Sequence, residues 1–136
     1  MKIIEDLKNN ILKDHSNVSF DLIGWDDVLS TTSNVTVYHL NSSVKYYVSY
    51  YAGYNFSFLI KENNKPTAIF PCFVHKTDKE WIISSNGLGL IEPLFISNTP
   101  KKLRKRLEKQ LINIIQIIVD GLEIRKANIF ETNFKL

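Results

Sequence analysis

A chain of 136 residues and 15.8 kDa, 44% apolar and 23% charged, has the size and composition of one globular domain, which excludes a disordered chain and argues against a two-domain enzyme. One cysteine, Cys72, leaves no intramolecular disulfide and no Cys-based zinc site, and no apolar stretch approaches the ~20 residues that a membrane span needs. The net charge is +3, but six of the 17 cations and one of the 14 acids fall within 101–109, so that stretch carries +5 and the rest −2; a nearly neutral body with one basic patch is not the pattern of a general nucleic-acid-binding domain.

The N-terminal stretch Met1 to Lys8 mixes acids and bases at helical spacing instead of setting a basic segment before an apolar one. No secretory signal is expected, and the cytoplasm is the expected compartment. The Asn-X-Ser/Thr triplets at Asn17, Asn34, Asn41 and Asn55 therefore carry no weight. Residues 2–14 place Ile3, Ile4, Leu7, Ile11 and Leu12 to one side of an amphipathic helix. Gly24 to Leu29 reads as a short helix ended by the polar run Ser30 to Asn34. Val35 to Tyr38 alternates and is β-branched, which predicts a strand or an extended segment. Ser42 or Ser43 is placed to cap a helix from Val44 to Ala52, with Gly53 just beyond its end.

The middle third predicts a meander. Tyr54 to Lys61 and Thr67 to His75 form a hairpin about Glu62 to Lys65, and a second turn at Lys76 to Lys79 leads into Trp81 to Ser85. Pro71 cannot donate to a ladder and is expected at a bulge or an unpaired edge position. A loop, Asn86 to Gly89, precedes an extended segment from Leu90 to Ile96 that Pro93 interrupts. Thr99-Pro100 opens the best-marked helix, with a capping hydroxyl and Pro at the first helical position. Leu103, Leu107, Leu111, Ile114 or Ile115, Ile118 and Leu122 form its core stripe, and Gly121 ends it or lies in its last turn. A final strand over Ile124 to Phe130 would run parallel to an earlier one if the helix is a right-handed crossover. The fold class is α/β in the broad sense (α+β): one domain over 1–136, a mostly antiparallel sheet flanked by helices, and one long crossover helix at about 100–120.

The chemistry-bearing residues are sparse. His15, His39 and His75 have no second ligand type at metal spacing, so no metal site is expected. Cys72 reads as a small buried residue, because His75 at i+3 on a strand points to the opposite face. Gly87-Leu88-Gly89 is a bare G-x-G, and neither a P-loop nor a nucleophile elbow occurs. The basic run sits in the first turns of a helix, where the macrodipole favours anions and disfavours cations. Lys101, Lys102, Arg104 and Lys105 are therefore candidate anion-binding residues, the plainer reading being a solvated helix face. The group Tyr46, Tyr47, Tyr50, Tyr51 and Tyr54 suits stacking on bases or sugars, or simple packing of a helix on a sheet.

The order of Trp25-Asp26-Asp27-Val28-Leu29, the polar run Ser30 to Asn34, Thr36-Val37-Tyr38-His39-Leu40, a helix, a hairpin and Ala68-Ile69-Phe70-Pro71 resembles the N-terminal half of FemAB-like members of the GNAT acyltransferase superfamily. Ser84-Ser85-Asn86-Gly87 with Leu90 to Phe95 is similar to that family's glycine-containing segment before the central helix. The resemblance implies a GNAT-like α/β fold with a splayed cleft, and transfer of an acyl or aminoacyl group to an amine of a sugar or cell-envelope precursor. It implies that this chain is the acceptor side of a longer, two-lobed protein, inactive alone, with Ser85, Asn86, Gly87 and Gly89 along the substrate cleft and Glu92 as the general base. The stretch Ile96 to Lys102 lacks the glycines of the family's pyrophosphate loop, so no cofactor is expected in this chain and an acyl-CoA or aminoacyl donor belongs to a missing second half. The expected partners are a small-molecule or cell-envelope precursor substrate and a second GNAT-like half or a second copy; nucleic acid is not expected. The rival reading is a non-catalytic interaction module that binds an acidic partner or RNA through the 101–109 patch, and a third is a complete small enzyme acting on an anionic metabolite.

Overall fold

The computed structural model describes residues 2–124. Helix α1 (Lys2–Asp14) buries Ile4, Leu7 and Ile11, one residue per turn, while Ile3 and Leu12 lie on its exposed flank. A two-residue strand β1 (Val18–Ser19) follows, then helix α2 (Trp25–Ser30), which buries Trp25 and Val28. Gly24 precedes α2 at φ +96, where a Cβ would lie 2.5 Å from Pro66, so both the left-handed backbone and the close approach require glycine.

The strand expected at Val35 to Tyr38 does not form. After extended Thr36 the chain makes one 3-10 turn, Val37–His39, closed by a capping box in which Thr36 and His39 exchange side-chain-to-backbone bonds. Local side-chain hydrogen bonding overrides β-branched propensity here, and Val35 to Tyr38 join no ladder among the described strands. Helix α3 (Asn41–Tyr50) starts three residues earlier than expected, with Leu40 at its N-cap and no side-chain cap, so neither Ser42 nor Ser43 caps it. Ala52 takes the left-handed conformation at φ 51, and Gly53 is needed for proximity: its Cβ would lie 2.5 Å from the Val74 carbonyl.

The expected hairpin forms, but it breaks in the middle and feeds two sheets. Strands β2 (Tyr54–Asn55) and β3 (Phe58–Glu62) return as β4 (Lys65–Phe70) and β5 (Phe73–Lys76), followed by β6 (Trp81–Ser84) and β7 (Leu94–Phe95). Their order is β1-β3-β4-β7 in one sheet and β2-β5-β6 in the other, and all pairings among the described strands are antiparallel. Asn63 and Asn64 both have positive φ (53 and 64), as a two-residue hairpin loop requires. The break falls at Pro71 and Cys72, where Pro offers no donor. Ser57 bridges it: its hydroxyl accepts from the Cys72 amide at 3.0 Å and donates to the Cys72 carbonyl at 3.1 Å.

Helix α4 (Lys101–Gly121) is the long helix the sequence predicts. Its start differs in detail: Pro100 is the N-cap, and the Thr99 hydroxyl donates to the Ile96 carbonyl at 2.6 Å instead of capping. Gly121 lies in the last turn, where Leu7 of α1 occupies the space of a Cβ. Beyond Ile124, the expected final strand to Phe130 lies outside the described residues.

Residues of the central strands alternate between two cores. Phe58, Ile60, Ala68, Phe70, Val74, Ile83 and Phe95 pack with α1 and with Leu107, Leu111, Ile114, Ile115 and Ile118 of α4. Leu59, Ile69 and Leu94 point the other way, onto Trp25 and Val28 of α2. Each fully buried Leu, Ile or Phe contributes about 1.5–3 kcal/mol relative to exposure, so the α4 stripe alone is a major part of the apolar driving force. The result is an α+β arrangement in three layers, with α1 and α4 on one face and α2 and α3 on the other.

Candidate functional site

Between the 3-10 turn, the approach to β7 and the start of α4 lies a cleft of about 290 Å³. Thr32, Asn34, Thr36, Tyr38 and His39 form one side, Ile91 to Phe95 another, and Arg104 the third. Its framework is a chain of hydrogen bonds between distant residues. The buried Trp25 ring donates through Nε1 to the His39 carbonyl at 2.9 Å. His39, 3% exposed, accepts at Nδ1 from the Thr36 amide (3.0 Å) and bonds through Nε2 to the Glu92 carbonyl (2.9 Å). An amide can only donate and a carbonyl can only accept, so these partners fix the neutral tautomer with the proton on Nε2. Burial lowers the His39 pKa, against the opposing influence of the Glu92 carbonyl and the Glu92 charge. His39 therefore serves as a neutral clamp that holds the Glu92 backbone against the 3-10 turn.

Glu92 itself is exposed on the cleft wall. Arg104 lies across the Phe95 ring, 4.8 Å from its centroid, and its Nε donates to Glu108 at 3.2 Å. Stacking and pairing together hold the guanidinium along the apolar floor. The cleft thus presents one carboxylate, one guanidinium and several hydroxyl and amide groups over a surface of Ile91, Pro93, Leu94 and Phe95. Ser97, whose hydroxyl donates to the Thr31 carbonyl, ties the end of α2 to the segment after β7.

Of the residues singled out in the sequence, Glu92 and Arg104 share this cleft. Lys101, Lys102 and Lys105 are exposed on the first turns of α4 and do not line it, while Arg106 of the same run pairs with Glu62 at 2.7 Å. Ser85, Asn86, Gly87 and Gly89 form a closed turn whose polar groups bond within it or to the sheet. The buried Ser85 hydroxyl donates to the Pro71 carbonyl at 2.6 Å and accepts from the Ile91 amide at 3.0 Å. Asn86 Oδ1 accepts from the Leu88 and Gly89 amides, and Gly87, at φ +90, has the Tyr51 ring where a Cβ would be. This turn sets the direction in which Ile91 and Glu92 leave the sheet but does not line the cleft.

Thr36, Tyr38 and His39 were not read as site residues. Their signal was the spacing Thr36-x-x-His39, a capping box with His in place of the usual Glu or Gln. The other histidines sit elsewhere: His15 bonds to Asn113 and Gln110, and His75 stacks on Tyr51. Burial pushes the Cys72 thiol far above its ordinary pKa, so it is inert. Among the described residues no group of three or more His, Cys, Asp or Glu is placed to hold a metal ion, and no helix is long and apolar enough to cross a membrane.

In comparison with known proteins, no family model matches the chain, and neither a curated protein nor a solved structure does. Nothing in these comparisons ties it to FemAB-like or GNAT proteins.

Proposed function

We propose that this chain binds a small polar molecule bearing a primary amine in the His39–Glu92–Arg104 cleft, as the acceptor side of an N-acyl or aminoacyl transferase. The observation that carries the reading is the clamp: a buried neutral imidazole holds the backbone of Glu92 while its carboxylate stays on the wall of a cleft lined by hydroxyl groups. A carboxylate so placed pairs with an ammonium group and accepts its proton. In the transfer step the amine nitrogen bonds to the acyl carbon and the bond from that carbon to its ester or thioester leaving group breaks. The amine proton passes to Glu92, and the leaving group takes a proton as it departs. Arg104 suits an anionic group on the same ligand. The donor is brought by a second lobe, since the stretch from Ile96 to Lys102 has no glycine to admit a pyrophosphate and the Thr99 hydroxyl is turned to Ile96.

Calorimetric titration with ethanolamine, glucosamine and alanine amide, each against its N-acetylated form, tests the reading. The free amines bind and the acetylated forms do not, and Glu92→Gln weakens binding by roughly ten- to a hundredfold, as loss of a charge-assisted bond implies. Equal binding of amine and amide overturns it. Binding of acidic peptides that is lost with Lys101→Ala plus Lys102→Ala and untouched by Glu92→Gln would instead establish the interaction module.

A further inference from the structure

Helix α3 divides its tyrosines between two faces. Tyr47 stacks on Phe73 of β5, 6.3 Å between centroids and 3° from parallel, and Tyr51 stacks on Phe73 and His75. Tyr46 and Tyr50 point away from the sheet, 62% and 69% exposed, with rings 6.1 Å apart and 19° from parallel. Tyr46 and Tyr50 meet the next rings inward, Tyr47 and Tyr51, edge-on at 5.3 and 4.9 Å, yet keep most of their own surface in water, on a helix that buries only Val44 fully. Beside them a groove of about 170 Å³ runs between Tyr38 and the pair Tyr46 and Tyr47, edged by Ser42 and Ser43. Tyr38 lines both this groove and the His39–Glu92 cleft, so the two recesses share a wall.

We propose that the α3 tyrosines form a stacking subsite for a neutral sugar ring, and that the ligand is an oligosaccharide running from this groove past Tyr38 into the cleft. The subsite stands on the groove, which Tyr46 lines, and on the Tyr50 ring stacked beside Tyr46 outside it; the placing of an amine-bearing sugar at Glu92 rests on the function proposed above. The hydrogens on one face of a pyranose carry partial positive charge and lie on the negative face of an aromatic ring. The hydroxyls of Ser42, Ser43 and Tyr38 surround the groove as partners for the sugar's own. Burial, with lesser contributions from Tyr38, Tyr46 and Tyr51, raises the Tyr47 pKa, so that phenol remains a donor. The electrostatics favour a sugar over a nucleic acid: α3 carries a single charge, Lys45, and the Lys and Arg run is on α4, whereas a polynucleotide needs cations along its track.

The test is calorimetric titration of the full chain with tetramers of neutral β-glucan, chitin, mannan and galactan, with a glucosamine tetramer, and with octauridylate. At least one neutral tetramer binds; Tyr46→Ala plus Tyr50→Ala, both exposed and checked by an unchanged unfolding midpoint, weakens it about tenfold or more, and Tyr46→Trp restores binding. Glu92→Gln weakens the glucosamine tetramer by a clearly larger factor than any neutral tetramer, since only the former brings an ammonium group to the carboxylate. If Glu92→Gln leaves the glucosamine tetramer unaffected while the tyrosine pair abolishes it, the amine reading fails and the stacking subsite stands. Failure of all four neutral tetramers to bind, or binding unchanged in the tyrosine variant, overturns the subsite. Tyrosine-dependent binding of octauridylate without any neutral tetramer also overturns it and assigns the face to nucleic acid.

Discussion

The two faces of the sheet layer are built by different means. Under α1 and α4 the core is apolar: Ile4, Leu7 and Ile11 meet Leu107, Leu111, Ile114 and Ile118 over Phe58, Ile60 and Phe70, with His15 bonded to Gln110 and Asn113, and Asn17 to Gln110, at its edge. Under α2, the 3-10 turn and α3, apolar residues are fewer and buried rings with polar atoms stand among them: Trp25, His39 and His75. The first face supplies stability through area and shape, which tolerate exchange of one aliphatic for another of similar volume. The second depends on particular hydrogen bonds spanning up to 66 positions in sequence, and the cleft and the exposed tyrosines open from it. The cleft opens at the β7 edge, where Arg104 of α4 and Phe95 of the first core join the polar groups of the second face.

This contrast breaks if a core variant alters binding while leaving stability intact. Ile114→Ala empties a fully buried site under α4 and should lower unfolding free energy by about 2–5 kcal/mol in urea titration, with ligand affinity of the folded protein unchanged. On the other face His39→Leu removes the clamp and leaves the Thr36 amide and the Glu92 carbonyl without their partner. Since the carbonyl borders an open cleft and regains water, the expected loss is about 1–3 kcal/mol. Binding in the cleft should fall together with stability, which sets this variant apart from Ile114→Ala.

Acid sharpens the comparison, because both buried histidines lie on the second face. Burial lowers the pKa of His39 and of His75, so the fold binds fewer protons than the unfolded chain. Their contribution is fully present above the ordinary imidazole value near 6.5 and is lost as pH falls from there through the lowered values. The ring of His75 stacks on Tyr51 at 4.6 Å, and its buried Nδ1 has no hydrogen-bond partner among the described residues. His75→Phe keeps the stacking and should flatten part of the acid limb of stability against pH; an unchanged limb would contradict its assignment. The smallest effect belongs to the surface. Arg106→Ala breaks the exposed pair with Glu62 and should cost about 0–1 kcal/mol, vanishing in high salt.

The first face was legible in the sequence because it is periodic. The spacing of Ile4, Leu7 and Ile11, and of Leu107, Leu111, Ile114 and Ile118, is the signal of an amphipathic helix, and each of these residues is buried. The meander was legible from its turns, and Pro71, expected at a bulge or an unpaired position, lies outside the ladders; that the strands change sheets there was hidden, since a strand that does so keeps its alternation. The second face was less readable. Val35 to Val37 favour a strand by propensity, and only the Thr36–His39 capping box, a local interaction, turns them aside. Glu92 and Arg104 were singled out separately, the one through the family resemblance and the other as part of a basic run. Nothing in their spacing shows that the approach to β7 and the first turn of α4 meet at one cleft. Trp25 entered only as part of the short helix and of the motif behind the resemblance, and its hydrogen bond to the His39 carbonyl is a product of tertiary packing alone.

The central claim is that the clamped Glu92 cleft receives an amine. Its most direct test is a two-dimensional amide NMR titration of the full chain with glucosamine at low and at physiological salt. The account predicts shifts concentrated at Thr36, His39, Glu92 and Phe95, retained at the higher salt and abolished in Glu92→Gln. Shifts confined to Lys101, Lys102 and Lys105 that disappear with salt, or no shifts at the cleft, would contradict it.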